Sequence, residues 1–338
     1  MFIIYASLSP FVGWQEQGLT FWAVLTSPLG LTYSGFDALS NLLAYLPFGA
    51  LLALTLCSHF DRWRSVLLAT LVAMAISVAL EYLQMYLPSR TSSNADMLTN
   101  GIGALLGASL MMSIMRNRWF ARLTQWRIDL FRQAVSVDFG LALVMLWMFA
   151  QINPSLPMLG NVFITEAAHH FFNAMPEEPF SLWESIAVAL NLLMIGALLL
   201  TLLRTRRHAA IALVLMLSVV ALVKFVSAAL LLKSWALLLW LNGEAMLGVV
   251  VGMLLIGVVA GLSKPQLIWA TLVGALSYMI LAYWVLDGGT PSAAMRLYQW
   301  PYGHLRNYNR LSQTVSLIFP LLLGGYLWWT SVTSEQRK

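Results

Sequence analysis

The stretch LEYLQMYLPSRTSSNADMLTNGIGALLG, residues 80–107, decides how the chain folds. One apolar run ends in it and another begins. Between them stand Glu81, Gln84, Pro88, Arg90, Ser92, Ser93, Asp96 and Asn100. Charged and amide side chains at the junction of two membrane-crossing helices are costly unless they pair or serve a function. Glu81 and Gln84 are three residues apart, Asp96 and Asn100 four, so each pair shares one helical face. Arg90 sits in the connection. The reading is two bilayer-crossing helices with a polar cluster at their shared end.

The rest of the chain agrees. Hydrophobic residues make up 60% of the 338 and charged ones 10%, far from the profile of a soluble domain. Apolar runs long enough for a helical crossing fall at about 36–57, 65–87, 96–115, 134–152, 183–203, 209–231, 235–262, 266–286 and 311–331. The expected fold is all-α: a polytopic integral membrane helix bundle of nine to ten transmembrane helices. The tenth would involve residues 1–11, too short to span alone, which read as the tail of a first helix or an interfacial anchor. They have neither a basic n-region nor a small-residue cleavage site, so a cleaved signal peptide is not expected. A single cysteine, Cys57, excludes an intrachain disulfide.

The net charge of +5 follows from topology rather than from a nucleic-acid partner. With the 36–57 span starting outside, the inside receives Arg62, Arg64, the arginines of 116–132, Arg204, Arg206, Arg207, Lys264, Arg337 and Lys338. Outside fall only Arg90, Arg296, Arg306 and Arg310, with Lys224 and Lys233 in or near a span. That is the positive-inside asymmetry. Three segments result: a membrane domain over 1–115, a basic interfacial cytoplasmic segment over 116–132, and a second membrane-helix domain over 133–338. The interfacial segment carries Trp119, Leu123, Trp126 and Leu130 at helical spacing. The second domain echoes the first: residues 190–203 follow 39–54, 222–231 follow 80–87, and 241–250 follow 98–107. This is the pattern of a three-helix internal repeat in one orientation.

SLSPFVGW (7–14), Asp37 and Asn41 leading into Tyr45, Pro47 and Gly49, then EYLQ, PSRTSSNAD and NGIGALLG resemble the VanZ-like family over roughly residues 1–115. Few residues precede SLSPF, so the family's usual first span is curtailed. The resemblance implies a setting rather than a mechanism. The founding member of that family is associated with resistance to the glycopeptide teicoplanin, and related proteins occur beside genes for envelope or exopolysaccharide synthesis.

Asp37, Asn41, Glu81, Gln84, Arg90, Asp96 and Asn100 form the candidate ligand-binding site. Asp37 and Asp96 open spans at the outer face, and Glu81 lies roughly 10 Å below it. On one reading Arg90 bridges carboxylates and the amides bond an amphiphile headgroup, or the acids relay protons. On the other, Asp96 caps its helix, Arg90 clamps an acid and the amides join helices. Gly103 and Gly107 form G-x-x-x-G, which lets helices approach closely. Lys224, mid-span, is expected to pair with Glu81 or Glu244, or to snorkel outward. Glu166, His169 and His170 have metal-ligand spacing, with His304 as a distant addition, but no zincin pattern accompanies them. No metal or cofactor is expected. Arg296, Tyr298, Trp300, Tyr302, His304, Arg306, Tyr308 and Arg310 alternate and would share one face of an extended segment, as a sugar-stacking cover or an interface belt.

The resulting function is that of a VanZ-like bacterial inner-membrane protein, multi-pass with a cytoplasmic C-terminus. It would act in the extracytoplasmic leaflet on cell-envelope or exopolysaccharide precursors by binding a lipid-linked headgroup, with a link to teicoplanin resistance. Expected partners are membrane lipids, a polyprenyl-linked glycan precursor and envelope-synthesis proteins, with no nucleic acid. Two other classes fit the same residues. One is a membrane-embedded transferase or hydrolase using Glu81 or Asp96 as general base. The other is a proton-coupled lipid or glycan transporter with Glu81 and Lys224 as a switchable pair.

Overall fold

A computed structural model of the chain describes residues 2–8, 11–28, 35–88, 90–132, 136–164, 180–286, 293–299 and 303–335. It forms two compact units, residues 1–126 and 127–338. The described residues are helical, without strands. Among the described residues seven helices are long and apolar enough to cross a membrane, and two shorter apolar ones accompany them. The protein is an all-α polytopic membrane bundle.

The first unit holds α1 (Phe2–Leu8), α2 (Phe21–Thr26), α3 (Gly35–Leu56), α4 (Arg62–Gln84) and α5 (Asn94–Arg116). Helix α1 has 7 residues, roughly 10 Å of rise, and does not cross a bilayer. It lays Leu8 against Leu80 and Leu87 of the α4 end. Helix α2 sets Val24 against Met85 and Met97. The main contact is α3 on α5, made by glycine. A Cβ at Gly49 would come 2.6 Å from Ala104 Cα, one at Gly103 2.9 Å from Leu42 Cα, and one at Gly107 2.7 Å from Leu46 C. Only a missing side chain lets these two backbones approach so closely. Helix α6 (Arg118–Leu130) follows, with Leu123 and Trp126 exposed as the interfacial reading requires.

The second unit holds α7 (Ser136–Gln151), α8 (Leu182–Leu202), α9 (Arg206–Leu231), α10 (Gly243–Val259), α11 (Lys264–Ile280) and α12 (Gly303–Glu335). Helix α8 is its axis. Of its most apolar 18-residue window 78% is buried, against 28% for α9, so α8 faces protein all round while α9 faces lipid on one side. Helices α8 and α10 meet as α3 and α5 do. A Cβ at Gly248 would lie 2.6 Å from Ser185 O, and one at Gly252 3.1 Å from Ala189 O. Glycines four apart on the third helix of each triplet thus meet backbone four apart on the first.

Two expectations are corrected here. The run 235–262 is not one helix. A 3-10 turn occupies Ser234–Ala236, and α10 begins only at Gly243, where the Asn242 side chain accepts from Ala245 N at 2.9 Å. An asparagine that bonds the first turn starts a helix rather than continuing one. The segment 296–310 is not extended either. Ala293–Leu297 is a 3-10 turn and α12 starts at Gly303. Backbone bonds Lys233 N to Leu297 O and Gln299 N to Leu231 O, both 2.9 Å, tie its start to the α9 end. Tyr298 is buried rather than presented on an aromatic face. Trp300, Tyr302 and the ligand-spaced Glu166, His169 and His170 lie outside the described residues, as does the His304 side chain.

Candidate functional site

The polar end of the first unit is built by the α4–α5 connection folding back on itself. Glu81, in the last turn of α4, is buried. Its Oε2 accepts from Ser93 N at 2.9 Å, and its carbonyl accepts from Ser92 Oγ at 2.9 Å. Ser93 is also the N-cap of α5, its hydroxyl accepting from Ala95 N at 3.2 Å. One carboxylate therefore completes the start of the next helix, a charge-assisted bond to a helix N-terminus. Gln84, three residues on, donates to Ser7 O at 3.0 Å and anchors the α1 end.

Across the α3–α5 contact, Asn41 Nδ2 donates to Asp96 Oδ1 at 2.6 Å. One turn deeper, Asn100 Nδ2 donates to Ser77 Oγ of α4 at 2.9 Å. Asn100 Oδ1, buried, has no hydrogen-bond partner among the described residues. The buried Tyr45 side chain pairs with Ser77 and feels the Glu81 charge. Asp96 and Arg90 both act on Glu81 electrostatically. Arg90 itself is half-buried in the connection. Burial draws its guanidinium below the ordinary value and Glu81 pulls it back up. A guanidinium that starts above 12 stays protonated.

Of the predicted site residues the structure therefore brings together Asn41, Glu81, Arg90, Asp96 and Asn100, with Gln84 alongside and turned to Ser7. Asp37 lies in the first turn of α3, and its side chain is outside the described residues. Sequence reasoning missed Tyr45 and Ser77, which complete the deep end. Tyr45 is among the residues that carry the resemblance, but its place in the cluster, like that of Ser77, depends on neighbours from other helices. Above the cluster, residues 11–20 are exposed. They are tied down by Gln15 N donating to Tyr86 O and Gln17 Nε2 to Met85 O, each 2.9 Å.

This buried arrangement is built from the segments that carried the resemblance. Residues 2–116 match the VanZ/LLP1 family model. No curated protein and no solved structure matches the chain. The VanZ-like segment spans α1 to α5 and contains every residue of the cluster; the second unit lies outside it.

The second unit has a polar centre of its own around Lys224, whose partners the sequence did not disclose. Lys224, fully buried in α9, donates to Gln151 O at 2.9 Å and Asn153 O at 2.7 Å. The expected pairing with Glu81 or Glu244 is replaced by these carbonyls at the C-terminus of α7, where a helix dipole favours a cation. Glu244 instead accepts from Ser181 N at 3.4 Å. Asn309 Oδ1 accepts from Asn153 Nδ2 at 3.0 Å, Ser155 Oγ at 3.2 Å and the Tyr298 hydroxyl at 2.7 Å. Burial pushes the Tyr298 hydroxyl up to about 12, so at neutral pH it remains a donor. The network holds the segment 151–164 inside the unit: most of it is buried though irregular. Backbone outside a helix is tolerated at such depth only when protein satisfies it.

Proposed function

We propose that the VanZ-like unit binds the headgroup of a lipid-linked envelope or exopolysaccharide precursor in the extracytoplasmic leaflet of a bacterial inner membrane. The C-terminus is then cytoplasmic. The observation that carries this reading is the inner end of the cluster: Asn100 Oδ1 is buried and has no hydrogen-bond partner among the described residues. Such a group costs about 1–3 kcal/mol unless something bonds it. A headgroup hydroxyl or amide reaching it past Arg90 would do so. Asn41 and Gln84 are each held by a hydrogen bond from the side-chain amide, to Asp96 and to Ser7, so the ligand-facing set is narrower: Arg90, Glu81 and Asn100, with Tyr45 beside them. Arg90 supplies a bidentate fork for phosphate, and Glu81 orients it. The distribution of basic residues supports the orientation. On this reading the chain is also a candidate determinant of glycopeptide tolerance, read as the teicoplanin inhibitory concentration with and without the gene.

The test is native mass spectrometry of the full chain purified in mild detergent. Wild type retains a polyprenyl-phosphate or glycolipid adduct, and Arg90→Ala loses it while keeping its melting temperature within a few degrees. Retention by both proteins sinks the site; absence from both sinks the binding reading. Glu81→Gln separates binding from chemistry. The amide oxygen still accepts from Ser93 N, so α5 stays capped, and the adduct is expected to weaken by about tenfold or less as the orienting charge is lost. Unchanged binding with lost turnover on a supplied precursor would instead point to transfer or hydrolysis.

A further inference from the structure

The basic turns of the second unit serve no part of that reading, and they are not scattered. The α8–α9 and α10–α11 turns enclose a cavity of about 210 Å³. Arg132, Arg204, Arg206 and Lys264 line it together with Thr205, and among the described residues its lining includes no carboxylate. Four cations gathered without an acid repel one another, and an anion between them offsets that repulsion. Two of them are pinned. Arg132 Nε donates to Leu203 O at 3.2 Å and Arg204 Nε to Phe131 O at 3.0 Å, on either side of the backbone bridge between Phe131 and Leu203. Each bond uses the Nε–H, one of the several N–H donors that a guanidinium carries. Helices α9 and α11 both start here, after the caps Thr205 and Ser263. Their N-terminal partial charges add to the four formal ones.

What carries the anion is indicated next door. A second cavity of about 200 Å³ shares Leu200, Arg206 and Ala260 with the first and continues past Gly196, Leu213 and Met253. Apart from Arg206 its lining is apolar. Gly257 lines it, and a Cβ there would meet nothing within 4 Å. A cationic chamber at helix ends that leads into an apolar groove between membrane-crossing helices has the outline of a phospholipid. The chamber is smaller than the roughly 300–1,000 Å³ that encloses a drug-sized ligand, so it takes a headgroup and not a glycan.

We infer that this pocket binds an anionic phospholipid of the adjacent leaflet, its phosphodiester held by Arg132, Arg204, Arg206 and Lys264 and one acyl chain lying in the groove beside Gly257. The lipid would lock the α8–α9 and α10–α11 turns together. The site belongs to the second unit and is independent of the cluster around Arg90.

The full chain in maltoside detergent, titrated with palmitoyl-oleoyl phosphatidylglycerol, the same-chain phosphatidylcholine or inorganic phosphate, tests this by native mass spectrometry and thermal shift. One phosphatidylglycerol is expected to bind, roughly tenfold more tightly than phosphatidylcholine. Arg132→Gln, Arg204→Gln and Lys264→Gln together weaken it roughly 100-fold, each basic residue contributing about fivefold. Because Arg132 and Arg204 also hold backbone, Lys264→Gln alone, an exposed residue, gives a fold-independent reading of about fivefold. Gly257→Leu adds a side chain at a groove-lining position where a Cβ meets nothing within 4 Å, and weakens phosphatidylglycerol while leaving phosphate unaffected. Equal affinity for the two lipids overturns the inference, as does a neutral Gly257→Leu. Phosphate protecting as well as phosphatidylglycerol would mean a free phosphate ligand and would overturn the lipid assignment.

Discussion

Gly107→Leu is expected to abolish the folded VanZ-like unit. A Cβ at this position would already fall 2.7 Å from Leu46 C, and the atom it strikes is main chain. Overpacking a core with extra methylenes costs typically 1–3 kcal/mol, because side chains rotate away. A helix backbone cannot, so α3 and α5 must separate and the cost reaches about 3 kcal/mol or more. Separation also pulls Asn41 from Asp96, which bond across the same contact. Fluorescence-detected size exclusion should show the monodisperse peak lost or strongly reduced at 25 °C. Gly325→Leu in α12 is the control, since a Cβ there meets nothing within 4 Å. A Gly107→Leu protein that elutes and melts like the parent would mean that α3 and α5 are not in backbone contact.

The second large effect is expected at Lys224. In Lys224→Met the aliphatic volume is kept but two buried carbonyls, Gln151 O and Asn153 O, lose their donor. Orphaning each costs about 1–3 kcal/mol, partly offset by no longer burying a charge. The net expectation is a loss of about 2–3 kcal/mol. Lys224→Glu is worse, since a carboxylate would face two carbonyl oxygens with nothing to donate, and little folded protein should be recovered. Differential scanning fluorimetry in detergent ranks the series as wild type above Met above Glu. A Met variant at or above the wild-type melting temperature would show that the charge costs more than its bonds return.

These two residues show where sequence reading reaches and where it stops. G-x-x-x-G is a pattern of spacing, and spacing on one helix is local, so close packing was legible in Gly103 and Gly107. The partner was not: Gly49 and Leu46 belong to another helix and carry no matching signature. Lys224 is legible as an intramembrane cation needing a partner, and acids are the partners that a sequence makes visible. Backbone carbonyls at the end of α7 are not. The alternation of 296–310 misled for a related reason. Period two in composition says nothing about conformation when the backbone is claimed by contacts such as those of Leu297 and Gln299 with the α9 end.

From the sequence alone it follows that the chain lives in a membrane, where the nine apolar helices among the described residues fall to within a few residues in most cases, and that a polar cluster sits at the α4–α5 junction. Each of these depends on hydropathy or on neighbours a turn apart, quantities a chain carries locally. Only the tertiary structure decided which amide meets which acid, that Glu81 completes α5, that Lys224 serves carbonyls rather than a carboxylate, and that four scattered cations line one pocket. Those facts join residues 12, 55 or 73 positions apart. Their pairing depends on how helices cross, which is set by the sum of close backbone contacts and not by any single stretch.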